Sequence, residues 1–196
     1  MRKFVGDLSV EDAEIIERYA KRAKRVLEFG VGGSTQIIAQ VLPKKSRFVT
    51  VDTDPRWIRM THARLGKLGV QDRCRFLSYA RWLRRRAAGT FDLIFIDGQA
   101  DLRCTFAKRA WSRLTSTGVM LFHDTRRTRD VVAMLSVVLA NHEEVASIRM
   151  NERYRGASSN ISVVRKKPRE PRVDWHAAED KPSWMYGQKD VPEEFW

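Results

Sequence analysis

Arg25-Val26-Leu27-Glu28-Phe29-Gly30-Val31-Gly32-Gly33-Ser34 (residues 25–34) is a short apolar run that breaks into glycines. The apolar part suits a buried strand, and glycines let the backbone turn sharply and approach a ligand closely. Ser34 can cap a following helix, in which Ile37, Ile38, Val41 and Leu42 form one stripe and which Pro43 closes. Arg47–Asp52 then reads as a second strand. Strand, glycine loop, helix and strand make one βαβ unit, the repeating element of a parallel sheet.

The alternation continues in both directions. Upstream, Ser9 caps a helix with Glu11 and Asp12 in its first turn and Ile15, Ile16, Tyr19, Ala20 and Ala23 at helical spacing. Downstream, Pro55 opens a helix that runs to about Leu68 and ends at Gly69. Arg73–Leu77 is a third, weaker strand, and Phe91–Asp97 is the clearest strand in the chain. A helix with Leu102, Phe106, Ala110 and Leu114 on one face leads to a fifth strand, Gly118–Asp124. Arg129–Asn141 is helical, with Val131, Leu135, Val138 and Leu139 expected to face inward. Val145–Met150 and Asn160–Arg165, joined by a loop containing Gly156, pair most simply as an antiparallel hairpin. The fold expected is α/β: a Rossmann-like, doubly wound, mostly parallel seven-stranded sheet with an antiparallel C-terminal hairpin and helices on both faces. Residues 1–167 make one domain, with residues 1–24 as its N-terminal helix. Residues 168–196 carry four prolines together with Trp175, Trp184, Tyr186, Phe195 and Trp196. That segment is too aromatic for a free linker and is expected to pack on the domain or on a partner.

The chain has 196 residues, which fits one such domain. Its longest apolar runs, such as Val131–Leu139, are too short to span a bilayer. The start, Met1-Arg2-Lys3-Phe4, lacks the apolar stretch of a secretory signal, so a cytoplasmic location is expected. Cys74 and Cys104 show neither metal spacing nor a CxxC pair and read as ordinary thiols. The formal net charge is +13. Residues 165–196 contain seven basic and seven acidic side chains, so the excess lies in residues 1–164. Such a balance favours anionic partners: nucleic acid, acidic glycans or an acidic protein. It is equally compatible with an Arg-rich soluble surface.

Ligands of a doubly wound sheet bind at the carboxyl ends of the strands, which singles out five loops. A dinucleotide site would want G-x-G-x-x-G. Here the third glycine position is Thr35, and the glycines fall at Gly30, Gly32 and Gly33 with Glu28 two residues ahead. Asp52 ends the second strand, where a carboxylate accepts hydrogen bonds from ribose hydroxyls. Asp54 is the rival for that role, but it precedes Pro55 and can cap the next helix instead. On these residues the sequence resembles the class I S-adenosylmethionine-dependent methyltransferase family. The resemblance implies S-adenosylmethionine as cofactor, held by Glu28, Gly30, Gly32, Gly33, Ser34 and Asp52, with Glu28 suited to the cofactor's cationic amino group. Asp97, at the end of the fourth strand, belongs to the same set. After the third strand the family often shows Gly-Asp-Ala near the adenine. Here Ser78-Tyr79-Ala80 stands there, so Tyr79 and Ala80 are the candidates and the acid is missing.

Phe91-Asp92-Leu93-Ile94-Phe95-Ile96-Asp97-Gly98, followed by Gly118-Val119-Met120-Leu121-Phe122-His123-Asp124-Thr125, is similar to small-molecule O-methyltransferases of the catechol and caffeoyl type and their bacterial sugar-modifying relatives. The likeness covers roughly residues 25–165. In metal-dependent members an acid after strand four and an Asp-Asn pair after strand five hold a divalent cation. Asp97 and Asp124 match the acids, and Thr125 replaces the Asn. Two carboxylates and a hydroxyl can hold Mg²⁺ with waters, while the lost amide counts against a metal. The relatives often carry a His or Lys base three residues after the strand-four acid, and Ala100 stands there. His123, Asp124 and Asp101 remain as substitutes. Side chains alternate across a strand, so His123 and Asp124 are expected to point opposite ways, with His123 buried and Asp124 facing the acceptor. Arg81, Arg84, Arg85, Arg86, Arg103, Arg126, Arg127 and Arg129 crowd the same rim, and arginine pairs bidentately with phosphate or carboxylate.

The expected function is methyl transfer to oxygen of a small or sugar-like, anionic acceptor. An RNA methyltransferase is the second reading; the charge favours it, while the lack of an Asn-Pro-Pro-Tyr-type motif and of a cysteine in a Pro-Cys context opposes it. A non-catalytic protein of the same fold is the third, favoured by Ala100 and Thr125.

Overall fold

The computed structural model describes residues 7–84 and 89–168. The Trp-rich segment, together with Arg85 and Arg86, lies outside those residues. Among the described residues, nine strands and six α-helices follow in the order α1 (Val10–Ala20), β1 (Arg25–Phe29), α2 (Gly33–Val41), β2 (Arg47–Asp52), α3 (Pro55–Lys67), β3 (Arg75–Ser78), α4 (Tyr79–Leu83), β4 (Phe91–Ile96), α5 (Arg103–Trp111), β5 (Leu114–Phe122), α6 (Thr128–Ala140), β6 (Val145–Arg149), β7 (Arg153–Tyr154), β8 (Ala157–Ser158) and β9 (Ser162–Lys166). Seven strands form one sheet in the order β3-β2-β1-β4-β5-β9-β6. The first five are parallel, and β9 runs antiparallel to both β5 and β6. No helix among the described residues is long and apolar enough to cross a membrane.

Parallel strands are covered on both faces and so read as continuous apolar runs. Alternate residues of β1 and β4 enter two different cores. Leu27, Phe29, Ile94 and Ile96 join Phe106, Trp111, Met134 and Val137 on the side of α5 and α6. Val26, Leu93 and Phe95 join Ile15, Ile16, Ile37, Ile38 and Leu65 on the side of α1, α2 and α3. The strand order reverses between β1 and β4, which opens a crevice at their carboxyl ends.

Ser9 caps α1 as expected: its hydroxyl accepts from the Asp12 amide, and Asp12 accepts from the Ser9 amide, each at 3.1 Å. Asp54 caps α3 through the Arg56 amide (2.7 Å), with Pro55 in the first turn. Several strand and helix ends shift by one or two residues from the sequence reading, and larger differences occur at four places. Helix α2 begins at Gly33, so Ser34 lies inside it and does not cap it. Strand β5 starts at Leu114, which the sequence places on the preceding helix, and ends at Phe122. The loop around Gly156 forms a two-residue ladder between β7 and β8. The stretch after β3 is a short helix, α4. Helix α6 also rolls relative to expectation: Ala133, Met134 and Val137 are buried, while Leu135 and Leu139 are exposed. Its sequence is apolar nearly all round, so packing against α5 and β5, not periodicity, selects the inner face.

Candidate active site

The turn after β1 is built on a buried carboxyl group. Glu28 is fully buried, and its carboxylate accepts hydrogen bonds from the hydroxyls of Ser34 (2.6 Å), Thr35 (2.7 Å) and Thr50 (2.6 Å). Burial pushes its pKa up to about 7 against the pull of these three donors. Glu28 therefore ties the start of α2 to β1 and β2 from beneath the loop, and neither it nor its carboxylate lines the crevice. The Ser34 hydroxyl is spent on the same knot, although Ser34 itself borders the crevice.

Gly30 adopts φ +95, and a Cβ there would lie 2.3 Å from the Gly98 nitrogen. The turns after β1 and β4 thus touch backbone to backbone. The Gly30 amide donates to Val51 O (2.8 Å) and the Asp97 amide to Phe29 O (2.9 Å), which locks the ends of three strands together. A Cβ on Gly32 would meet nothing within 4 Å, so that residue leaves the approach to the crevice clear.

Asp52 ends β2 with both oxygens engaged: Oδ2 accepts from the Val31 amide and Oδ1 from the Asp54 amide, each at 2.8 Å. Each carboxylate oxygen keeps a further lone pair for a ligand. The crevice encloses about 620 Å³, within the usual range of small-molecule sites. Gly30, Gly32, Gly33, Ser34 and Asp52 border it on one side and Asp97, His123, Asp124 and Arg127 on the other. Trp57, 45% exposed, stands in its wall one turn into α3. Tyr79 and Ala80 are not among the lining residues; the Tyr79 ring packs edge-on to Phe106 at 4.9 Å and against Trp82. Asp101 accepts from the Gln99 side chain (3.3 Å) away from the crevice.

At the far end a cluster of charges closes over the ends of β4 and β5. His123 Nδ1 lies 3.4 Å from Asp97 and 3.6 Å from Asp124, and Nε2 lies 3.6 Å from Asp12 on α1. The expected opposition of His123 and Asp124 does not occur. Strand β5 has ended, and Asp124 turns left-handed at φ 60, so strand alternation no longer governs it. Neither ring nitrogen makes a well-formed hydrogen bond, and the ring is held by its close approach to these three carboxylates. Burial disfavours a charged imidazole, but Asp12, Asp97 and Asp124 outweigh it and raise the pKa of His123 to about 10. Asp12 moves the other way: burial is overcome by His123 and by the Asn160 and Ser9 amides, and its pKa falls to about 2.

With its pKa raised so far, His123 is expected to carry positive charge at neutral pH. Its pKa stands above the ordinary 6.5, so the stability it contributes is whole below about pH 6.5 and fades as pH rises through about 10. The melting temperature is expected to fall between pH 7 and 10, and His123→Gln to melt lower at pH 7 with much of that alkaline decline gone. Parallel pH profiles of the two proteins by calorimetry would refute the ion-pair account.

Arg103, the first residue of α5, is the hub that sequence reading placed on an open rim. It is 6% exposed. Its Nη2 meets Asp97 at 2.5 Å and Asp124 at 3.4 Å, Nη1 meets Asp130 at 3.2 Å, and Nε donates to Gly98 O at 3.2 Å. Asp130 is itself buried in the first turn of α6. Of the other rim arginines, Arg127 lines the crevice and pairs with Asp124 at 3.2 Å. Arg126 donates to Ser158 O, and Arg129 pairs with Asp130. The signal for Arg103 was present in sequence: Asp97, Asp124 and Asp130 at the ends of neighbouring elements require a buried counter-charge. Nothing in the spacing distinguished Asp12, 148 residues from the Asn160 amide that it accepts from at 2.6 Å.

Residues 27–125 match the family described as a methyltransferase domain. A catechol O-methyltransferase of Niastella koreensis is 28% identical over 110 residues, 53% of this chain and 49% of that protein, so the chain spans about half the length of this curated relative. Among solved structures, an O-methyltransferase from Bacillus cereus in complex with S-adenosylhomocysteine aligns at a TM-score of 0.66 with 17% identity, over 82% of this chain and 83% of that one. The O-methyltransferase TomG of Streptomyces achromogenes, involved in tomaymycin synthesis and crystallised with S-adenosylmethionine, aligns at 0.65 with 16% identity over 83% of each chain. At these identities the structures establish the shared fold.

Proposed function

We infer the activity from one premise: the chain belongs to the methyltransferase-domain family, whose match covers just over half of its 196 residues. The reading is an S-adenosylmethionine-dependent transferase that methylates oxygen on a small or sugar-like, negatively charged acceptor. One observation carries it. A single crevice joins the glycine turn and Asp52 to the Asp97–His123–Asp124 cluster and Arg127. A cofactor half and a reacting half therefore share one wall.

The cofactor half fits the nucleoside by its donors and acceptors. Asp52 keeps lone pairs for two ribose hydroxyls, Gly32 leaves room for close approach, and Trp57 offers an aromatic face for a flat ring system. S-adenosylmethionine held there would supply an electrophilic sulfonium methyl, to which the acceptor oxygen would bond as the carbon–sulfur electron pair stayed with sulfur. At the reacting half, Asp124 takes the acceptor's hydroxyl proton. His123 and Arg127 hold positive charge beside the oxygen as its negative charge develops. Arg127, its side chain 65% exposed and pointing at the crevice, retains donors for a carboxylate or phosphate of the acceptor. The division into a transferase unit of residues 1–167 and a Pro- and Trp-rich segment of residues 168–196, packing on that unit or on a partner, belongs to the same proposal.

Titration with S-adenosylhomocysteine is expected to be saturable by calorimetry and to quench Trp57 fluorescence, with the quenching lost in Trp57→Phe. Labelled methyl transfer is then expected to favour phenolic and sugar acids over their neutral counterparts. No saturable heat sinks the cofactor reading; equal transfer to acids and neutral acceptors sinks the anionic one.

A further inference from the structure

We propose that the guanidinium of Arg103 stands where a divalent cation would otherwise sit, and that this chain binds no metal at its acidic cluster. Only the consequence for catalysis rests on the methyltransferase reading; the exclusion of metal rests on geometry.

Asp97, His123 and Asp124 offer ligand atoms within 4.8 Å of one another, the one such group found among the described residues. In metal-dependent relatives, by the resemblance above, an acid after strand four and an Asp-Asn pair after strand five hold the ion. Each of the three corresponding donors is already committed here. A single nitrogen of Arg103 lies 2.5 Å from Asp97 and 3.4 Å from Asp124, in the space between the two carboxylates that a bridging ion would need. The third donor, Thr125, is buried and faces the interior, where its hydroxyl meets Ser162 Oγ at 2.6 Å and Asn151 Oδ1 at 3.2 Å. It does not line the crevice.

The charges are matched as well. Asp97, Asp124 and Asp130 face Arg103, Arg127 and Arg129. Mg²⁺ requires near-octahedral oxygen ligands at about 2.0–2.1 Å, which would press a doubly charged ion against the guanidinium of Arg103. If Arg103 swung aside, the buried Asp130 would lose one of its two cationic partners and be left with the exposed Arg129 alone. The charge that a Lewis-acidic ion would bring to a developing oxyanion is therefore supplied by fixed organic cations. Arg103 acts through Asp97 and Asp124 as a positioning residue.

The test uses Mn²⁺ as probe, with the full chain first stripped by chelator, and reads bound against free ion by electron paramagnetic resonance. Wild type is expected to leave Mn²⁺ free at millimolar concentration, and methyl transfer to be unchanged by EDTA. Arg103→Met, which uncovers the carboxylates, is expected to gain at least about tenfold in Mn²⁺ affinity, and Arg103→Met with Asp124→Asn to lose that gain. Stoichiometric Mn²⁺ on wild type that Asp124→Asn abolishes overturns the proposal. A folded Arg103→Met protein that gains no Mn²⁺ overturns it too. If circular dichroism shows that variant unfolded, the wild-type titration decides alone. Failure to bind S-adenosylhomocysteine would instead strike the functional reading, so the two failures are separable.

Discussion

Gly30→Ala is expected to lower the melting temperature by about 6–12 °C and to weaken cofactor binding with it. The added Cβ would sit 2.3 Å from Gly98 N and 2.6 Å from Gly98 Cα, on backbone held at φ +95. A left-handed conformation costs a non-glycine residue roughly 1–2 kcal/mol, and overpacking roughly 1–3 kcal/mol more. A loss of about 3 kcal/mol, at about 2–4 °C per kcal/mol for a chain of this size, gives that shift. Neither backbone is free to retreat, because the Gly30 amide is bonded to Val51 O and the Asp97 amide to Phe29 O. Whatever relaxation occurs must also shift Asp97 and the reacting end of the crevice. An unchanged melting curve would show that the two turns do not touch in solution.

Asp52→Ala is expected to weaken S-adenosylhomocysteine binding roughly 100-fold, equivalent to about 3 kcal/mol, since hydrogen bonds to a charged group contribute about 1.5–3 kcal/mol each. Part of the loss comes from the chain itself, because Asp52 also holds the amides of Val31 and Asp54. Asp52→Asn keeps one acceptor oxygen and is expected to lose only about tenfold. Asp52→Asn should melt close to wild type, as Asp52 is half-buried at a strand end and outside the two apolar cores, whereas Asp52→Ala, which also gives up the bonds to the Val31 and Asp54 amides, should melt somewhat lower. Calorimetry that finds unchanged affinity in the alanine variant removes Asp52 from the ribose role and leaves the crevice without its chief acceptor.

The two variants probe features of different legibility. Asp52 was readable because a strand period, a following Pro55 and a glycine turn 22 residues earlier place it at one end of a βαβ unit. That Gly30 faces Gly98 was not readable, because their contact depends on the register of β1 against β4. Misplaced boundaries arose where local signals competed. Thr117 sits at φ 71 inside β5, a position where sequence favours a break, yet pairing with β4 carries the strand back to Leu114.

The sheet, its parallel core, the antiparallel closing pair and the crevice-facing turns were determined by local order: apolar runs of strand length, glycines and caps recur at the spacing that only a doubly wound sheet satisfies. The burial and pairing of Glu28, Arg103 and His123 were decided by tertiary structure. Glu28 became a buried tie between β1, β2 and α2, and Arg103 and His123 became buried cations, because Asp12, Asp97, Asp124 and Asp130 converge from α1, β4, β5 and α6. Hydrophobic pattern is a property of neighbours in the chain, whereas the protonation and pairing of a buried charge depend on every element that packs around it.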